Sequence, residues 1–361
     1  MDKLTKLFSF IQNNKLLSVC ISGCVVGFIL YILLGRFFGA YFNASLPLPN
    51  LEETYSCPYN YKIYTLKDAV KEPQNVCGLH LVRVSDLKVL ASISKQLIHI
   101  KKLTIEDLDD ATLPPEIENL QSLQELHIGD TDGDIIIPPE IANLPNLSSV
   151  TLSNNAEMTM LPVSVAKLSH LSTLSLRYNP KLQIPEPLVG QPNLTSLSVI
   201  GSNIKSIPTR VYKLPKLQTL DYSTNQITTI SGELSTMASL QQINLRENNL
   251  KSFPNIANLS HLQQLDLSHN HLSELPQGIE KLKELATLRI SDNMIDDRTT
   301  NLLQQLPQLI SLDLGNNKLT QMPKGLEKLQ KLQYLRLSGN NLNAADVGKL
   351  KMQLPQTIIE F

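Results

Sequence analysis

The sequence predicts an α/β solenoid with a parallel sheet of about 12 strands, preceded by one transmembrane helix. Three observations carry this. Leucine-bearing segments recur every 22 to 24 residues from about Leu79 to the C-terminus, as in LQELHIGDT at Leu123, LSTLSLRYN at Leu171 and LQQLDLSHN at Leu262. Within each segment apolar residues alternate, as a strand with one buried face requires. Ahead of them, Leu16 to Leu34 runs 19 residues without a charge. A fixed period of this length exposes a long face and encloses no pocket, so recognition is the expectation and catalysis needs separate evidence.

The repeats fit L-x-x-L-x-L-x-x-N-x-L-x-x-L-P-x-x-I-x-x-L-x-x and resemble the leucine-rich repeat family over about three quarters of the chain. The resemblance implies a leucine-rich repeat arc with a parallel concave sheet; it says almost nothing about ligand.

Each position has a physical reason. Leu262, Leu265 and Leu267 point into the core, while Gln264, Asp266 and Ser268 point out. The ninth-position column Asn155, Asn179, Asn225, Asn248, Asn270, Asn293, Asn317 and Asn340 is expected to bond backbone groups that would otherwise be buried unpaired. It is interrupted at Leu108, Thr131 and Ser202. Pairs such as Leu113-Pro114, Leu161-Pro162 and Met322-Pro323 mark the convex return, where no ladder needs the missing proline donor. Two returns lack the pair. Asp296 to Leu306 reads as a short helix capped by aspartates, and Ala344 to Leu354 as a helix with Asp346 near its start, followed by a last strand from Thr357 to Phe361.

At the N-terminal end, Leu66, Ala69 and Val70 share a helical face that Pro73 ends, and Val76, Leu79 and Leu81 begin a strand. This resembles the cap helix of bacterial membrane-anchored leucine-rich repeat proteins, and an exposed solenoid end needs such a cap. Val84 to Ile100 reads as one degenerate repeat.

At about 1.5 Å per residue, a helix over residues 16–34 spans roughly 28 Å, close to a bilayer core. A cleaved signal peptide is the rival, but the run is longer than a signal core and Arg36, Phe37 and Phe38 follow it. Ile21-Ser22-Gly23-Cys24 resembles a bacterial lipobox, yet apolar residues continue past Cys24. Lys3, Lys6 and Lys15 precede the span and only Arg36 follows closely, which favours a cytoplasmic N-terminus and an exported repeat domain. Gly23 and Gly27 form a close-approach motif for a homodimer through this helix.

The expected organisation is a cytoplasmic N-terminus (1–15), anchor (16–34), tether (35–56), cap with degenerate repeat (57–100) and repeat domain (101–361). Cys57 and Cys77 flank the cap helix and could form a disulfide in an oxidising compartment; two free thiols are the alternative. His80 stands alone, so no metal site is expected.

The charge is balanced, 32 basic residues against 33 acidic, with no basic stripe for nucleic acid. Sequons at Asn43, Asn146, Asn193 and Asn258 follow from the polar composition of the repeats. No phosphate loop, G-x-S-x-G, H-E-x-x-H or kinase set is present, so neither an enzyme nor a cofactor is expected.

The expected function is a membrane-anchored recognition module that binds a protein, or a cell-surface polymer, on its concave face. An adhesion or envelope-organising role is the alternative, and with reversed topology a cytoplasm-facing scaffold. Arg177, Tyr178 and Ile200 place a cation, a ring and an aliphatic chain on adjacent strands; Arg246 and Tyr334 lie apart from them. Asp266, Arg289, Asp313 and Arg336 alternate in sign down one column and should neutralise one another.

Overall fold

A computed structural model describes residues 63–361 apart from 109–110, 134 and 184–190. Alternation of apolar and polar residues builds its main feature, an open parallel sheet of fourteen strands in sequence order. These are β1 (Ile63–Thr65), β2 (Gly78–Leu81), β3 (Lys102–Ile105), β5 (Glu125–Thr131), β7 (Ser149–Asn155), β8 (Thr173–Arg177) and β9 (Ser196–Ile200). They continue with β10 (Thr219–Asp221), β11 (Gln242–Asn244), β12 (Gln264–Asp266), β13 (Thr287–Arg289), β14 (Ser311–Asp313), β15 (Tyr334–Arg336) and β16 (Ile358–Glu360). A separate two-stranded ladder pairs β4 (Ala111–Thr112) with β6 (Ile135–Ile136). The count exceeds the expected 12 at the ends: β1, ahead of the cap helix, was not expected, while β16 is the last strand expected within 357–361.

The register stacks the inner leucines. Leu220, Ile243, Leu265, Leu288 and Leu312 are cross-strand neighbours, all 0–1 % exposed. One continuous core results, and no repeat could bury its own apolar face alone.

The asparagine column is the polar half of this core. Asn270 Nδ2 donates to the carbonyls of Leu245 at 2.9 Å and Leu267 at 3.0 Å, and its Oδ1 accepts from Leu250 N–H at 3.0 Å. Asn248, Asn293 and Asn317 repeat the pattern. At two of the three interruptions a hydroxyl substitutes: Thr131 Oγ1 donates to Asn155 Oδ1 at 2.9 Å, and Ser202 Oγ accepts from Asn179 N–H at 3.3 Å.

The returns after Leu-Pro are mostly short 3-10 helices, Pro115–Asn119 and Thr209–Lys213 among them. Proline supplies the fixed φ and loses no needed donor. Gly278 opens another at φ +83°, where an added Cβ would lie 2.7 Å from Ala257 N, so any side chain there would collide with backbone.

Several expectations need correction. The cap helix is shorter than expected: α1 (Leu66–Ala69) ends before Val70, which is exposed, and Pro73 opens a 3-10 turn instead of ending a helix. Within the stretch read as a degenerate repeat, Val84–Ile93 forms a helix, α2, that buries Leu87, Leu90 and Ile93. Later in the chain come α3 (Val163–Ala166) and α4 (Ala344–Gln353). The aspartates before Thr300–Gln305 do not cap it: Asp297 accepts from Thr320 N–H and Gln321 N–H in the next repeat, and Asp296 pairs with Arg298 at 2.8 Å. α4 forms as expected with Asp346 in its first turn, and Asn343 caps it, accepting from Ala345 N–H at 2.8 Å.

The expected anchor at 16–34, the Gly23 and Gly27 contact and Cys57 lie outside the described residues. Among the described residues no helix is long and apolar enough to cross a membrane. Cys77 is half-buried just before β2.

Candidate functional site

Outward residues of the sheet fall into columns fixed by the pairing register. One runs His80, Thr104, His127, Thr151, Ser175 and Ser198 from β2 to β9. It continues as Asp221, Asn244, Asp266, Arg289, Asp313, Arg336 and Glu360. The next column contains Ser153, Arg177 and Ile200. After the strands, one residue per repeat takes a left-handed backbone, and two, Gly201 and Asn203, after β9. From Asp107 to Asn316 these φ values lie between +52° and +60° and include Tyr178, Gly201 and Thr224. Asp, Asn and Gly tolerate this region; Tyr and Thr rarely occupy it, at a cost of about 1–2 kcal/mol.

The structure brings Arg177, Tyr178 and Ile200 together. Arg177 and Ile200 are direct cross-strand neighbours. Tyr178 is 52 % exposed and its ring lies against Gly201, where an added Cβ would come within 2.7 Å of Cε1. Arg177 Nε donates to Ser175 Oγ at 3.0 Å. The two remaining candidates lie apart and are engaged internally. Arg246 pairs with Glu247 at 2.9 Å, and the Tyr334 hydroxyl donates to Glu360 at 2.9 Å. Burial, followed by that bond, holds the Tyr334 phenol above its usual range.

The charged column pairs within itself: Arg289 lies 3.9 Å from Asp266, and Arg336 lies 3.5 Å from Asp313 and 4.0 Å from Glu360. Burial raises the carboxyls of Asp221 and Asp266 above the usual range. Bonds from Ser223, Asn244 and Ser268 and the charges of Arg177, Arg289 and Arg246 oppose the shift in part.

His80 is not alone, contrary to the sequence reading. Its Nε2 lies 2.9 Å from Glu106 Oε2, while Glu106 Oε1 lies 3.4 Å from His127 Nε2, which is 3.3 Å from Ser153 Oγ. Register was the missed signal: these residues sit 26, 21 and 26 apart in sequence but on or just after adjacent strands. The group is not a hydrolytic relay, because serine and carboxylate meet the same imidazole nitrogen. Among the described residues no group of three or more His, Cys, Asp or Glu has the arrangement of a metal site.

Comparison with known proteins agrees with this geometry. Residues 244–354 match the family described as leucine-rich repeat region, and residues 192–250 match leucine rich repeat. Residues 192–354 belong to the leucine-rich repeat family. An internalin from Listeria monocytogenes is similar at 23 % identity and TM-score 0.62, over 80 % of each chain. The Arabidopsis receptor kinase HAESA, in complex with the peptide hormone IDA and the co-receptor SERK1, matches at 21 % identity and TM-score 0.61. That match covers 82 % of this chain and 51 % of HAESA. Drosophila Toll, in complex with Spatzle, matches at 18 % identity and TM-score 0.60, over 79 % of this chain and 47 % of that one. At these identities the likeness is one of fold.

Proposed function

We propose that this chain is a membrane-anchored, non-catalytic recognition protein whose leucine-rich repeat domain binds a partner on its concave face. The observation that supports the reading most is Tyr178. Its exposed ring stands beside Ile200 and Arg177 on neighbouring strands, and an aromatic ring, an aliphatic chain and a guanidinium together have the composition of a binding hot spot. A protein partner is favoured over a cell-surface polymer because HAESA and Toll were solved with a peptide hormone and with Spatzle. The anchor is the uncharged run at residues 16–34, with the N-terminus cytoplasmic and the repeats exported. In that compartment Cys57 and Cys77 form a disulfide, and Gly23 and Gly27 bring two copies together.

Affinity capture with the full chain, from the cell envelope, tests the first part. Tyr178→Ala with Arg177→Ala should weaken a captured partner by at least about 2 kcal/mol. Unchanged binding with the fold intact removes this patch from the site and favours weak, distributed adhesion, in line with the self-paired charges of β12 to β16. Protease added to intact cells should degrade the repeats; protection until permeabilisation would make the protein a cytoplasm-facing scaffold. Gly27→Ile should abolish crosslinked dimers.

A further inference from the structure

The charges of this chain cancel overall but are not mixed. Residues 103–166 hold twelve Asp or Glu and no Lys or Arg, leaving all 32 basic residues elsewhere against 21 carboxylates. These same repeats carry an exposed apolar stripe away from the outward columns of the main sheet. Ile136 is 54 % exposed, Met160 64 % and Val163 59 %. Ile136 and Met160 occupy one position of successive repeats, each just before a buried residue, Ile137 and Leu161.

Their outward direction is fixed by backbone. Ile136 is paired in register with Thr112, and Met160 forms a parallel bridge with Gln183. Ser164 Oγ donates to the Ile137 carbonyl at 2.9 Å and ties the two repeats together beneath the stripe. Turning either side chain inward would need a one-residue slip that exposes its core neighbour.

Carboxylates lie close along the chain on each side of the stripe. Asp132 precedes β6, Glu140 lies in the 3-10 turn that follows it, and Glu157 precedes Met160. Glu157 is paired with Lys181 at 2.6 Å, from the repeat where basic residues resume.

From this pairing of fixed apolar side chains with mainly acidic surroundings, we propose that the flank at Ile136, Met160 and Val163 docks a cationic amphipathic segment of another protein. Its apolar side covers the stripe and its Lys or Arg residues meet the carboxylates. Charge complementarity selects this occupant: an acidic or neutral apolar segment would meet repulsion or no attraction across three repeats. This surface is separate from the concave face, so the proposal stands apart from the function proposed above.

The test titrates full-length protein with three labelled synthetic peptides, read by fluorescence anisotropy. One is an amphipathic leucine–lysine peptide, one a leucine–glutamate peptide of the same pattern, and one a serine–lysine peptide without an apolar face. Only the leucine–lysine peptide should bind tightly, and added salt should weaken it. Ile136→Ser with Met160→Ser should weaken it by about tenfold or more, and Glu140→Lys should weaken it independently, both with unchanged circular dichroism. Met352→Ser, at an exposed site on α4, should leave binding unchanged. Equal binding of the serine–lysine or the leucine–glutamate peptide would overturn the proposal, as would unchanged affinity in the double variant.

Discussion

Asn270→Ala should destabilise the repeat domain by roughly 2–4 kcal/mol. Asn270 is 4 % exposed and its side chain makes four bonds to backbone: Leu245, Leu267 and Ser268 carbonyls accept from Nδ2, and Leu250 N–H donates to Oδ1. The loss is asymmetric. The carbonyls keep other donors, such as Asn248 Nδ2 on Leu245 and Asn293 Nδ2 on Leu267. Leu250 N–H has no second acceptor among the described bonds and would be stranded in a buried turn. An orphaned buried group costs about 1–3 kcal/mol, and the lost bonds and the cavity add about 1 kcal/mol more. The melting midpoint should fall by roughly 2 °C per kcal/mol for a domain of this size. Urea titration followed by far-ultraviolet circular dichroism measures it, with tyrosine emission as second probe because the chain has no Trp. Asn258→Ala, at an exposed position, is the control and should stay within about 0.5 kcal/mol. A loss below about 0.5 kcal/mol for Asn270→Ala would refute the view that this column satisfies the turn backbone.

Burial raises the folded-state carboxyls of Asp221 and Asp266, so their contribution to stability is present at low pH and falls as pH rises from the unfolded carboxylate value through the raised one. Asp266→Asn should flatten that part of the pH profile in urea titrations; an unchanged slope would show that Arg289 already compensates the buried charge. Tyr178→Asn should leave stability equal or higher by up to about 1 kcal/mol, since Asn accepts the left-handed backbone, while partner binding falls. A clear loss of stability would mean that ring packing on Gly201 outweighs the strain. Asn343→Ala should cost about 1 kcal/mol at the start of α4, read as faster amide exchange there, and unchanged exchange would show that the cap contributes nothing.

The sequence by itself determined the periodic elements. A 22-to-24-residue spacing and strict alternation decide which leucines are buried, because a one-residue slip would turn a strand's whole apolar set outward. The asparagine column was legible for a similar reason: one polar residue at a fixed place among buried neighbours must find backbone partners. Local pattern failed where the period was weakest. Val84 to Ile100 reads as one degenerate repeat, and its first part, Val84–Ile93, is helical because Leu87, Leu90 and Ile93 pack on the core as a helical face. The trio Arg177, Tyr178 and Ile200 could be listed from register, but the left-handed backbone of Tyr178 and its seat on Gly201 could not. Nor could the His80–Glu106–His127 chain or the bond from Tyr334 to Glu360. Side-chain partners on neighbouring strands are distant in sequence. Only the packed solenoid decides whether a charged or aromatic residue faces a partner molecule or another repeat.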